Sequence, residues 1–111
     1  MKGAILALAA AAMALLLGTT GAGASQSLSD FLENCKTDVN QCRATVNDII
    51  LAAKSSRYAC IPHNLPIDEA VDRQLEWLKD AAQRNPRFGN EDMEDALWAG
   101  VSDLWPCPKK V

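Results

Sequence analysis

The stretch 66–84 reads PIDEAVDRQLEWLKDAAQR, and its apolar side chains recur every three to four residues. This spacing is typical of an amphipathic α-helix, because 3.6 residues per turn bring such positions onto one face. The predicted buried face consists of Ile67, Val71, Leu75, Leu78 and Ala82. Pro66 suits the first helical turn, where its missing N–H would have no partner. Asp68 and Glu69 are favourable beside the positive end of the helix dipole.

Three further segments have helical periodicity and predict an all-α protein. They cover about residues 28–36, 40–55 and 91–104. Asn40 and Asn90 are the expected caps of the last two, and Pro106 ends the final helix. No stretch alternates with period two for long enough to predict a strand. The expected architecture is a small antiparallel bundle of about four helices joined by short loops.

The N-terminus has the pattern of an export signal. Lys2 is the positive start, residues 4–17 are an uncharged apolar run, and residues 22–24 (AGA) suit a signal peptidase. We therefore expect residues 1–24 to be a signal peptide and residues 25–111 to form the mature domain. The apolar run is shorter than the about 20 residues of a membrane-spanning helix, so no membrane segment is expected after cleavage.

The charge balance of the mature domain is mildly acidic. The chain holds 11 Lys and Arg residues, one of which is Lys2, against 14 Asp and Glu residues, so the mature net charge is −4. Binding of nucleic acid needs a basic face, and anionic lipid attracts basic segments. Neither nucleic acid nor a membrane surface is therefore expected as a partner.

The cysteines, all in the mature part, predict two disulfides. They are Cys35, Cys42, Cys60 and Cys107. An even number in a short exported chain is typical of a disulfide-stapled domain, and a bacterial periplasm is the expected location. In an up-down bundle Cys60 and Cys107 reach the same end, whereas a 42–60 bond would have to span a helix about 22 Å long. The favoured pairing is Cys35–Cys42 and Cys60–Cys107.

Most motifs of enzyme active sites are missing. The sequence has no nucleotide-binding glycine loop, no Cys-x-x-Cys, no His-Glu-x-x-His and no Gly-x-Ser-x-Gly. His63, the single histidine, lies between Pro62 and Asn64, which predicts an exposed loop residue. Oxidised cysteines would be neither metal ligands nor nucleophiles. We therefore expect no enzyme activity, no metal and no cofactor.

The candidate surface for a protein partner is the stretch 85–90, which reads NPRFGN. Asn–Pro and Gly–Asn pairs are typical of turns, and Arg87 and Phe88 lie at the tip of this one. Phe88 either covers the core or points outward, where it would form a compact probe with Arg87. Partner binding is therefore predicted for Arg87, Phe88 and Asn90.

The tryptophans are candidates both for the core and for a binding surface. Trp105 is expected in the core. Trp98 lies off the apolar stripe of its helix and Trp77 lies at the edge of its own. Both are left open between core residues and half-exposed anchors of the kind found in binding hot spots.

Five short motifs lie between residues 58 and 107. They are Tyr58-Ala59-Cys60-Ile61-Pro62, Leu65-Pro66, Asn85-Pro86 with Leu78 ahead of it, Ala96-Leu97 and Trp105-Pro106-Cys107. Their order and spacing resemble those of the Rap/Tai family, which are periplasmic immunity proteins of type VI secretion systems, and the resemblance covers about residues 42–107. Members look like a signal peptide followed by a small helical domain, with Cys-Ile-Pro in its middle and Pro-Cys at its end.

The resemblance implies a protein inhibitor. Family members bind and block cell-wall amidase effectors, which spares the producing cell and its siblings. The family usually has an aromatic-and-glycine segment after its second cysteine, whereas Arg43-Ala44-Thr45-Val46 follows Cys42 here. That departure leaves the identity of the amidase partner open.

Two other roles fit the same sequence. The 14 carboxylates would suit a small acid-stress chaperone of the periplasmic HdeA type, which loosens and binds unfolded clients at low pH. An envelope protein of this fold without an inhibitory role is the other alternative. A homodimer is compatible with each of these roles.

Overall fold

The structure, a computed structural model, describes residues 26–109 and contains five helices in this range. They are α1 (Leu28–Thr37), α2 (Val39–Ser55), α3 (Ile67–Arg84), α4 (Pro86–Gly89) and α5 (Met93–Leu104). Residues 26–109 contain no strand, and an isolated bridge joins Ser27 to Asp92. The predicted all-α fold is confirmed. The predicted signal peptide, residues 1–24, lies outside the described residues.

Carboxylate caps set the starts of α2 and α5, and both differ from the expected caps. The Asp38 side chain accepts a hydrogen bond from the backbone N–H three residues later at 3.1 Å, so Asn40 lies inside α2. Asp92 makes the same contact at the start of α5, also at 3.1 Å, and Asn90 lies before it. An ionised carboxylate both pairs with a free N–H and complements the helix dipole, which explains the preference for aspartate.

A one-turn helix, α4, lies where the sequence predicted a turn. The Asn85 side chain accepts a hydrogen bond from the Arg87 N–H at 3.2 Å, and Pro86 is the first helical residue. An asparagine cap followed by a proline at the first position is a common start for a helix. The bundle therefore has the four predicted long helices and one short additional helix.

Helix α3 contacts each of the other four helices. Its buried residues are Ala70, Val71, Gln74 and Leu78. This face is rotated from the predicted one, since Ile67 is 39% exposed and Gln74 is fully buried. The Gln74 Nε2 donates a hydrogen bond to the Leu97 carbonyl of α5 at 2.7 Å, so a polar side chain joins the two helices inside the core.

Backbone hydrogen bonds hold the two ends of α5. At its start, two bonds of 2.8 and 2.9 Å join residues 91–93 to residues 26–28 ahead of α1. Past its end, the Cys60 N–H donates to the Trp105 carbonyl at 2.8 Å. Trp105 is buried, as expected. The loop after α2 and the tail after α5 are therefore fastened together at one end of the bundle.

Both disulfides have the pairing that the sequence favoured. Cys35–Cys42 joins α1 to the first turns of α2, with a Cα–Cα distance of 5.0 Å. Cys60–Cys107 joins the loop after α2 to the tail after α5, with a Cα–Cα distance of 4.9 Å. All four cysteines are used, so none is available as a thiol.

Candidate protein-binding surface

The predicted binding residues around α4 divide into two exposed side chains and one that packs inward. Arg87 and Asn90 are exposed, whereas Phe88 is half-buried against the core. The Phe88 ring meets the Trp77 ring edge to face, with centroids 5.6 Å apart and an interplanar angle of 85°. Phe88 therefore covers the core, and the compact Arg87–Phe88 probe does not form in this structure.

Trp77 lies between this aromatic contact and a polar one. Its Nε1 donates a hydrogen bond to the Asp103 carboxylate on α5 at 2.7 Å. A tryptophan buried at one side usually places its N–H on such a partner. Trp77 is therefore a half-buried bridge that joins α3, α4 and α5, and its ring and N–H are both occupied within the bundle.

The end of α2 has an unusual backbone. Arg57 has φ 59°, which is the left-handed conformation. The Tyr58 N–H donates to the Ala53 carbonyl at 2.9 Å and the Arg57 N–H to the Lys54 carbonyl at 3.3 Å. This pair of bonds is a Schellman motif, in which glycine usually occupies the left-handed position. An arginine there costs about 1 kcal/mol in backbone strain.

Replacing Arg57 with glycine is expected to stabilise the protein by about 0.5–1 kcal/mol, because glycine adopts this conformation without steric strain. The measurement is thermal unfolding of the oxidised protein followed by circular dichroism. Arg57→Ala is the matched control, since it removes the same side chain but keeps the strain. An Arg57→Gly protein that is less stable than the Arg57→Ala protein would contradict the assignment.

The residue directly after Arg57, Tyr58, is the exposed member of an aromatic pair. Tyr58 is 50% exposed and meets the half-buried Trp98 edge to face, with centroids 4.9 Å apart and an interplanar angle of 81°. Arginine, tyrosine and tryptophan are the residue types enriched in binding hot spots. We name Lys54, Arg57, Tyr58 and Trp98 the Arg57 surface.

The cations of the Arg57 surface are two of the five, among nine in residues 26–109, that form no ion pair. The other four cations of this range form ion pairs with carboxylates, at Lys36–Glu33, Arg43–Asp72, Arg73–Glu69 and Arg84–Asp80. Lys54 and Arg57 are exposed and form no ion pair within residues 26–109. Their charges therefore lack a fixed intramolecular counter-charge in this part of the chain.

Sequence reasoning did not identify the Arg57 surface as a candidate. A signal was present, because residues 51–66 contain no glycine, so another residue had to adopt the left-handed conformation that often ends a helix. The contact of Tyr58 with Trp98 joins residues 40 positions apart in the chain and depends on the packing of α5 beside the end of α2.

A groove of about 620 Å³ lies between α1, α2 and α3. Its lining combines apolar side chains with charges of both signs: Leu32, Val39 and Leu75, and Lys36, Arg43, Asp72, Glu76 and Lys79. Arg43 donates to the Asp72 carboxylate at 2.6 Å and to the Asp68 carbonyl at 3.2 Å, which ties α2 to α3. With both signs present, the groove selects neither an acidic nor a basic partner.

Within residues 26–109, no group of three or more His, Cys, Asp or Glu side chains is arranged to hold a metal ion. His63 is exposed in the loop between α2 and α3, where the sequence placed it. None of the helices in the same range is long and apolar enough to cross a membrane.

Comparison with known protein families, with curated proteins and with solved structures gave no match for this chain.

Proposed function

We propose that this chain is an exported immunity protein that binds a cell-wall amidase effector of a type VI secretion system and blocks its active-site cleft. The mechanism is steric: a rigid helical domain covers the cleft and keeps peptidoglycan out. The protein itself performs no reaction and needs no cofactor. The residues that suggested this role are the short motifs that resemble the Rap/Tai family.

The observation that carries the proposal is the meeting of the two most specific motifs in space. Cys60-Ile61-Pro62 and Trp105-Pro106-Cys107 are joined by the Cys60–Cys107 disulfide and by the 2.8 Å hydrogen bond from the Cys60 N–H to the Trp105 carbonyl. Ile61 and Trp105 are both buried beside this junction. The motifs therefore form one structural unit, as expected if they preserve a common fold.

A steric inhibitor gains from rigidity, because a partner that is already ordered loses little conformational freedom on binding. The two disulfides restrain both halves of this small bundle: one ties α1 to α2, and the other ties the middle of the chain to its end. Disulfides persist in oxidising compartments. They agree with export to a periplasm, where a cell-wall amidase would meet its inhibitor.

Inhibition of purified amidases tests this proposal. The protein, produced by export so that its disulfides form, is mixed with type VI amidase effectors and purified peptidoglycan, and the release of stem peptides is followed. We expect an equimolar amount to stop one effector and to leave an unrelated cell-wall amidase active. The Cys60→Ser/Cys107→Ser protein is the matched control and should inhibit less, because the motif junction is opened.

Other outcomes would assign the protein to a different class. If no amidase is inhibited even by an excess of the protein, the immunity role is wrong. Suppression of the aggregation of a client protein at about pH 2–3, with loss of fixed tertiary structure, would then point to the acid-stress chaperone. Failure of both assays would leave an envelope protein without an inhibitory role.

A further inference from the structure

We propose that the Arg57 surface (Lys54, Arg57, Tyr58 and Trp98) is where the protein partner docks, and that it binds an acidic segment of that partner. This inference deepens the proposed function and rests on it, since it takes the partner to be a protein. It places the contact at the end of α2 rather than at α4.

Aromatic side chains are accessible at the Arg57 surface. Tyr58 is half exposed and packs against Trp98, so the pair leaves apolar surface accessible to a partner. The aromatic of the competing surface, Phe88, is packed against Trp77 instead. Anchors in hot spots are aromatic and arginine side chains that a partner can cover, and this combination is exposed at the Arg57 surface.

The positive charges of the Arg57 surface favour an acidic partner. Arg57 and Lys54 have no carboxylate partner within residues 26–109, so a carboxylate from outside would gain an ion pair without breaking one. Glu94 and Asp95 lie one turn before Trp98, on the same side of α5. They would repel carboxylates there, which directs the acidic segment to the Arg57 side of the aromatic pair.

The strained backbone of Arg57 also favours a binding role for its side chain. The helix end needs only a residue that tolerates the left-handed conformation, and glycine does so without strain. The cap therefore does not explain why an arginine occupies this position. Strained positions are found where function, rather than stability, requires the side chain, and an exposed guanidinium suits the recognition of carboxylates.

A second copy of this chain is a poorer occupant of the surface. In a symmetric dimer Arg57 of each copy would meet the start of α5 of the other, with Glu91, Glu94 and Asp95. Each chain has a net charge of −3, so two identical copies repel each other. A different protein is therefore the occupant that the charges favour.

The test uses the amidase found in the inhibition assay and measures its dissociation constant by calorimetry. Arg57→Gly and Tyr58→Ala are each expected to weaken binding by about tenfold or more, although Arg57→Gly should unfold at no lower temperature than the wild type. Arg84→Ala removes an exposed cation elsewhere and should bind as the wild type does. Unchanged binding of both surface variants would overturn the inference and leave the proposed function standing, and so would loss confined to Arg87→Ala.

If no amidase binds, a photo-reactive phenylalanine derivative is placed at position 58, and at position 84 as a control, in the cells that produce the protein. An adduct from position 58 with an acidic segment of another identified protein, lost in Arg57→Glu, supports the docking surface while the amidase role fails. Adducts with lipid, glycan or a second copy, an adduct unaffected by Arg57→Glu, or no adduct from position 58 would overturn the inference.

Discussion

Removal of the Cys60–Cys107 disulfide by a double substitution to serine is expected to lower stability by about 4 kcal/mol, against about 2.4 kcal/mol for the Cys35–Cys42 bond. The difference follows from the loops that the bonds close, with sequence separations of 47 and 7 residues. The longer loop restricts the unfolded chain more, so opening it returns more entropy to the unfolded state.

Thermal unfolding of the two double-serine proteins checks this expectation, since neither leaves a free thiol. With about 4–8 °C per kcal/mol for a domain of this size, the Cys60→Ser/Cys107→Ser protein should melt roughly 6–13 °C below the Cys35→Ser/Cys42→Ser protein. Equal melting temperatures would show that loop length does not set the contribution of these bonds. The reduced wild type gives the combined effect of both.

Gly100→Ala is expected to destabilise the protein by about 2 kcal/mol, although alanine is the better helix former by about 1 kcal/mol. A Cβ at this position would lie 2.6 Å from the Gln74 Oε1 and 3.0 Å from the Trp77 Cε3. The Gln74 side chain is fully buried and holds the Leu97 carbonyl at 2.7 Å. It therefore cannot move aside without losing that bond.

The neighbouring residue provides the control for this prediction. Ala99 is exposed on the same helix, so Ala99→Gly should cost about 1 kcal/mol through helix propensity alone. In a Gln74→Ala background the contact with the Gln74 Oε1 is removed and the 3.0 Å contact with the Trp77 Cε3 remains, so Gly100→Ala should then cost less than in the wild type. Denaturant unfolding of the wild type, Gly100→Ala, Gln74→Ala and the double variant measures the coupling between positions 74 and 100. A Gly100→Ala protein as stable as the wild type would contradict the close packing of α3 on α5.

The two candidate binding surfaces differ in how much of each could be predicted from the sequence. The stretch 85–90 was predicted as a site from its local composition. Four of its six residues are exposed, whereas Gly89 is buried and Phe88 packs on Trp77. Whether a loop aromatic points inward depends on the neighbouring helix, and nothing in the loop itself decides it. The Arg57 surface combines residues from the end of α2 and the middle of α5, so no local sequence pattern predicts it.

Local rules predicted the four long helices, and the order of those helices predicted the cysteine pairing. Apolar side chains at helical spacing and the turns between them predicted the long helices, and the up-down order of those helices brought Cys60 and Cys107 to one end. These features depend on neighbours a few residues away and on connectivity. Both can be read from the order of the residues.

Only the packed structure decided which face of α3 is buried, because that face has to fit four other helices at once. Gln74 enters the core where Gly100 leaves room for it, and the Leu97 carbonyl accepts a hydrogen bond from its Nε2. The meeting of Tyr58 with Trp98 has the same origin. Contacts between residues far apart in the chain depend on the relative placement of helices. The periodicity within one helix contains no information about that placement.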